Sequence, residues 1–102
     1  MLSELLKELE RVTDQQIENG DRQELINGTI EELGEYCLAD RVERGKKNRK
    51  LTESAMVEAV DLTLCAISLY FASGGTIAEF EGIARRKLEK MAKRSGLACG
   101  GN

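Results

Sequence analysis

Residues 59–72 read AVDLTLCAISLYFA, and this stretch decides the fold. Its fourteen residues carry one charge, Asp61. A helix apolar nearly all round belongs inside a packed protein rather than on its surface. It is too short and too closely flanked by acids to serve as a membrane span, so no membrane partner is expected. Three neighbouring helices in a chain of 102 residues hardly cover such a segment. The expectation is an all-α, four-helix bundle completed by oligomerisation, as a homodimer or homotetramer.

The rest of the chain is also helical in character. It lacks proline, has 4% aromatic residues, and is dominated by Leu, Glu, Lys, Arg and Ala, which favour helix. The first helix spans Leu2 to Glu18, with Leu2, Leu5, Leu6, Leu9 and Val12 on one face at helical spacing. Asn19-Gly20 stops it. Asp21 caps a second helix, with Glu24 as capping-box partner, and this helix runs to about Arg44. Gly28 and Gly34 inside it each cost about 1 kcal/mol relative to alanine. Thr29 with Glu32 offers a competing cap, which leaves room for a break at Asn27-Gly28. Gly45 ends the second helix, Thr52 caps the third, and the third ends near Ser73-Gly74-Gly75. Thr76 opens the fourth with Glu79 as partner, and that helix ends near Arg94. Residues 1–94 form one helical domain, and 95–102 a flexible, glycine-rich C-terminal tail.

Charge and composition exclude several functions. The formal net charge is −3, but residues 1–40 hold 11 acids against 3 bases, and residues 41–102 hold 7 acids against 12 bases. A chain acidic in one half and basic in the other can hold both a cation and a phosphate. A general nucleic-acid binder would be basic overall, so no nucleic-acid partner is expected. Histidine is absent, and the three cysteines, Cys37, Cys65 and Cys99, lack paired spacing. Ser-His and Cys-His nucleophiles and the usual zinc sites are thereby removed. Cys37 and Cys65 read as small core residues. The charged, amphipathic N-terminal stretch does not read as a signal peptide, and a reducing cytoplasm is the expected localisation.

The chemistry lies in four carboxylates. Glu32 and Glu35 are three apart, as are Glu58 and Asp61, so each pair shares one helix face with Cβ atoms about 5–6 Å apart. If the second and third helices pack antiparallel, the pairs converge. Four acids at close range repel and raise one another's pKa values, a penalty that a divalent cation removes. Oxygen-only ligands point to Mg2+, with Mn2+ as the other candidate. Gly34, between the first two, would permit close approach of backbone or ligand. Glu-x-x-Glu alone is also the pattern of a solvated helix face. Asp61 carries more weight, because an isolated carboxylate in an apolar helix is costly unless paired or metal-bound. A salt bridge to Arg85 or Lys87 is the competing account of Asp61. Glu31 and Asp40 read as solvated, with Glu31 able to support the cluster from behind.

Glu31-Glu32-Leu33-Gly34-Glu35, followed by Glu58-Ala59-Val60-Asp61, resembles the acidic motif of the MazG-like, all-α nucleoside triphosphate pyrophosphohydrolases. Residues 87–94, Lys87 through Arg94, are similar to the Lys-rich segment that closes the family's minimal domain, and the resemblance covers about residues 22–94. Met91 stands where an asparagine often occurs in that segment. The resemblance implies a hydrolase that cleaves an NTP or dNTP to the monophosphate and pyrophosphate, in nucleotide-pool house-cleaning. It implies metal-binding and catalytic roles for Glu32, Glu35, Glu58 and Asp61, and phosphate contacts from Lys87, Lys90 and Arg94. The bland account of that basic run is a solvated helix end that favours the dipole. The basic loop 46–50 reads as solvated, with a phosphate-covering role as the alternative. Other functions stay open: a phosphoribosyl-ATP pyrophosphohydrolase, whose motif Glu58–Asp61 also resembles, a non-catalytic helical dimerisation module, and, weakened by the acidic N-terminal half, a nucleic-acid-binding role.

Overall fold

The computed structural model describes residues 2–45 and 53–96, and among these the chain is all-helical, with four helices and no strand. The helices are α1 (Leu2–Asn19), α2 (Arg22–Glu43), α3 (Ala55–Ala72) and α4 (Ile77–Arg94). The expected boundaries hold to within a residue or two, apart from the start of α3. Ser54, not Thr52, caps α3, accepting from the Val57 amide, and Thr52 lies outside the described residues. So do the basic loop 46–50, Cys99 and tail residues 97–102.

α2 runs unbroken for 22 residues, which corrects the anticipated break at Asn27-Gly28. The Thr29 hydroxyl donates back to the Leu25 carbonyl at 2.8 Å and so lies within the helix rather than capping a new one. Packing explains why two interior glycines do not interrupt it, since α2 and α3 form the most extensive helix pair in the chain. They run antiparallel. The Ala55 amide at the start of α3 donates to Glu43 Oε2 at the end of α2, at 2.7 Å. Arg22 Nη2 at the start of α2 donates to Ser73 Oγ just past the end of α3, at 3.1 Å.

α1 crosses this pair on the Ser68 side of α3. Thr13, fully buried, donates to the Leu9 carbonyl at 2.8 Å and hydrogen-bonds the Ser68 hydroxyl at 3.0 Å. Of the apolar stripe expected on α1, Leu6 is buried, Leu9 and Val12 are half-buried, and Leu2 and Leu5 remain exposed. α4 packs lightly, on α1 and through Phe80 on Tyr70, whose ring centroids are 5.1 Å apart at 80°. The α3–α4 turn is tight because the Tyr70 hydroxyl donates to the Thr76 carbonyl at 2.6 Å. The phenol ring then lies where a Cβ on Gly75 would stand, so only glycine fits there.

Within one chain α3 is not buried on every side. Only Glu58, Ser68 and Phe71 of α3 are buried, while Met56, Val57 and Val60 are exposed. The reason is geometric: α2 and α1 cover adjoining sides, and the remaining side faces outward. α3 has a mean hydropathy of 1.6 over 18 residues, so by length and composition alone it could cross a bilayer. At 1.5 Å per residue it spans about 27 Å, just short of the roughly 30 Å hydrocarbon core, and it contains Glu58 and Asp61.

Candidate metal centre

The antiparallel register brings the two acidic pairs together, Glu32 toward Asp61 and Glu35 toward Glu58. One carboxylate oxygen from each of Glu32, Glu58 and Asp61 lies within 4.8 Å of the others. Glu35, exposed on the next turn of α2, completes the quartet at its edge: its charge reaches both other glutamates, and either of them, when protonated, hydrogen-bonds it. The expected competitor does not form. Arg85 pairs with Glu81 at 3.0 Å, and no ion pair reaches Asp61 among the described residues.

Burial makes this more than a surface acidic patch. Glu58 is 7% exposed and Glu32 and Asp61 are half-buried. With the carboxylates ionised, Glu32 Oε2 and Glu58 Oε2 are buried without a hydrogen-bond partner. A buried acceptor left unpaired is rare and destabilising. Burial first, then hydrogen bonding with Glu35 and the charges of Glu35, Glu53 and Asp61, push the Glu58 carboxyl up to about 7. The Glu32 carboxyl is raised as well, chiefly by burial and then by Glu35 and Asp61.

These residues fit a hard divalent cation. The donor set is all oxygen, the buried oxygens lack other partners, and a cation reverses the repulsion that raises the carboxyl pKa values. An octahedral Mg2+ with oxygens near 2.1 Å holds adjacent ligands about 3 Å and opposite ones about 4.2 Å apart, so three oxygens within 4.8 Å of one another would draw closer to share one ion.

The other expected residues lie elsewhere. Lys87, Lys90 and Arg94 are exposed along α4, and no hydrogen bond or ion pair links them to the carboxylates among the described residues. Glu31 is exposed and contributes only a minor charge effect on Glu32, and Asp40 pairs with Arg44 at 2.8 Å. Gly34 does not mediate a close approach within the chain, since a Cβ there would meet nothing within 4 Å. Cys37, expected in the core, is exposed, because it shares the outer face of α2 with Ile30 and Leu33, away from α3.

Cys65 has a closer relation to the site than core packing suggested. It is half-buried, and burial first, then the charges of Glu32 and Asp61, raise its thiol pKa. The signal was present in its spacing, four residues after Asp61 and therefore one turn along the same face. Glu53, which adds to the negative field on Glu58, carried no such signal. No family model, curated protein or solved structure matches the chain.

Proposed function

We propose that the chain is a MazG-like, Mg2+-dependent nucleoside triphosphate pyrophosphohydrolase, cleaving NTP or dNTP to the monophosphate and pyrophosphate. The supporting observation is that Glu58, whose Oε2 is buried without a partner, offers a carboxylate oxygen within 4.8 Å of oxygens of Glu32 and Asp61. On this reading Glu32, Glu35, Glu58 and Asp61 hold the cation, with Mn2+ able to substitute. When bound, such an ion supplies charge neutralisation on the phosphates and a lowered pKa for the attacking water. One of the four carboxylates, free of full coordination, orients that water by accepting its hydrogen bond. Exposed Glu35, at the rim, is best placed for this.

Lys87, Lys90 and Arg94 remain the candidates for clamping the triphosphate. In a single protomer α4 packs on α1 rather than on the acidic pair, so these cations act on a substrate at the cluster through assembly of copies or movement of α4. The reading accordingly includes a homodimer or homotetramer, working as a house-cleaning enzyme in a reducing cytoplasm.

The test is pyrophosphate release from a panel of NTPs, dNTPs and phosphoribosyl-ATP with Mg2+, run beside Glu35→Gln and Asp61→Asn. Both variants are expected to lose activity by about two orders of magnitude or more. Near-normal turnover in either removes the site assignment. Turnover of phosphoribosyl-ATP alone selects the sister pyrophosphohydrolase. Silence on every nucleotide selects a non-catalytic dimerisation module, a reading favoured by Met91 in place of the asparagine.

A further inference from the structure

Side chains of α2 reach both ends of α3. Apolar contact is non-directional, so by itself it holds two helices together without fixing how far one slides along the other. Two side-chain hydrogen bonds across the pair supply the missing direction. Glu43 Oε2 accepts from the Ala55 amide at 2.7 Å, and Arg22 Nη2 donates to Ser73 Oγ at 3.1 Å. The Glu43 bond is the one near the carboxylates. Ala55 precedes Glu58 by three residues and Asp61 by six, about 4.5 and 9 Å along α3. Ser73 lies twelve residues beyond Asp61, about 18 Å away.

Glu43 follows Glu32 by eleven residues, close to three whole turns, so both lie on one face of α2 within roughly 20°. The first amides of a helix point out past its N-terminus and lack intrahelical partners. Helical side chains lean toward the N-terminus of their own helix. In an antiparallel pair the Glu43 carboxylate therefore leans back to meet the Ala55 amide. The other caps are local: Asp21, Ser54 and Thr76 each stand just before the helix they cap and travel with it. Glu43 comes from a different helix, so its bond ties the position of α3 to that of α2. Its negative charge also suits the N-terminus it faces.

We infer that Glu43 is a positioning residue for the cation: by holding the first amide of α3, it sets the register at which Glu58 and Asp61 face Glu32. The inference rests on the metal-centre reading and adds to it a residue outside the acidic motif. Mg2+ demands oxygens near 2.1 Å in near-octahedral geometry. A slip of one residue along α3 displaces Glu58 and Asp61 by about 1.5 Å relative to α2, enough to break a shared coordination sphere. Glu43 is exposed and stands apart from the three converging carboxylates, so it acts through α3 and not on the ion.

Mn2+ binding to the full chain, read from the loss of the free-ion EPR signal, tests this well below each variant's unfolding midpoint. There the folded fraction is close to one, so lowered stability alone leaves the affinity unchanged. Three variants separate reach from charge. Glu43→Gln keeps the reach and an accepting oxygen without the charge, Glu43→Asp keeps the charge but is a methylene too short, and Glu43→Ala keeps neither. Glu43→Gln is expected within about twofold of wild type, and Glu43→Asp and Glu43→Ala about tenfold weaker, a usual loss when a group orienting metal ligands is removed. Arg22→Ala, which cuts the bond at the far end, is expected within about twofold of wild type. If Glu43→Ala does not fold, the glutamine and aspartate variants carry the comparison. Wild-type affinity in Glu43→Asp and Glu43→Ala overturns the positioning role and leaves the metal centre standing. A loss in Glu43→Gln that Glu43→Asp does not share is an effect of charge and overturns it too. So does an equal loss in Arg22→Ala, which is loosening of the whole pair. A wild type that binds no Mn2+ removes the metal centre and the positioning role together. Mn2+ binding with the expected variant pattern but no pyrophosphate release supports the positioning role and removes the hydrolase reading alone.

Discussion

Glu58 carries the largest share of the site's physical logic. Its carboxyl is held near 7 rather than at the ordinary 4.5, with burial the leading cause. The folded protein therefore binds a proton at Glu58 more readily than the unfolded chain does. Below about pH 4.5 both states are protonated and no penalty arises. Between there and about 7 the folded state retains the proton while the unfolded state releases it, so stability falls as pH rises through this window. Above 7 the folded state bears an ionised, crowded carboxylate in full. Thermal unfolding in EDTA from pH 5 to pH 8 should thus show a falling midpoint, and Glu58→Gln should flatten that fall. Added Mg2+ or Mn2+ should raise the midpoint more at pH 8 than at pH 5, since the ion takes the proton's place. Identical pH profiles for wild type and the glutamine variant would show that Glu58 is not the strained group.

At the scale of the element, the helices were readable because their ends carry chemistry. The Thr76 hydroxyl accepts from the Glu79 amide at 3.2 Å, as the capping-box spacing predicts, and donates to the Glu79 carboxylate at 2.9 Å in place of the backbone amide of a full box. Asp21 caps α2 by accepting from the Glu24 amide at 2.9 Å. The two acidic pairs were readable from their i,i+3 spacing, but their convergence hung on antiparallel packing, which the spacing alone does not decide. What could not be read was the side of α2 that meets α3. α2 has apolar residues on opposite faces, with Tyr36 and Ala39 inward and Ile30, Leu33 and Cys37 outward, so Cys37 could not be placed from the pattern alone. Nor could local propensity show that Gly28 stays in an unbroken helix, because long-range packing on α3 decides it. Where no such packing intervenes, propensity should act unopposed. Gly82 in α4 is exposed, with only the tip of Arg86 3.8 Å from a would-be Cβ. Gly82→Ala is expected to raise stability by about 0.5–1 kcal/mol in urea unfolding. A destabilising alanine would mean that another surface packs against α4 in solution.

The whole chain is more open than its length requires. Its Cα radius of gyration is 16.3 Å, against about 13 Å for a compact chain of this size. Its accessible surface is 7826 Å², whereas a compact monomer of 11.3 kDa exposes about 5,700 Å². The exposed apolar residues are also grouped: Ile30 and Leu33 on α2, Met56, Val57 and Val60 on α3. Both groups lie on the outward sides of their helices, away from the α2–α3 seam that holds the carboxylates. A second copy covering these faces would take that apolar surface out of water. The expected mass by light scattering on a sizing column is therefore at least twice 11.3 kDa. Val60→Lys, which puts a charge on the outer face of α3 without touching the α2 contact, should shift that mass toward the monomer. The same variant should weaken Mg2+-dependent stabilisation if assembly and metal binding are linked. A wild-type monomer at micromolar concentration would leave the outer face of α3 in water and end the assembly reading.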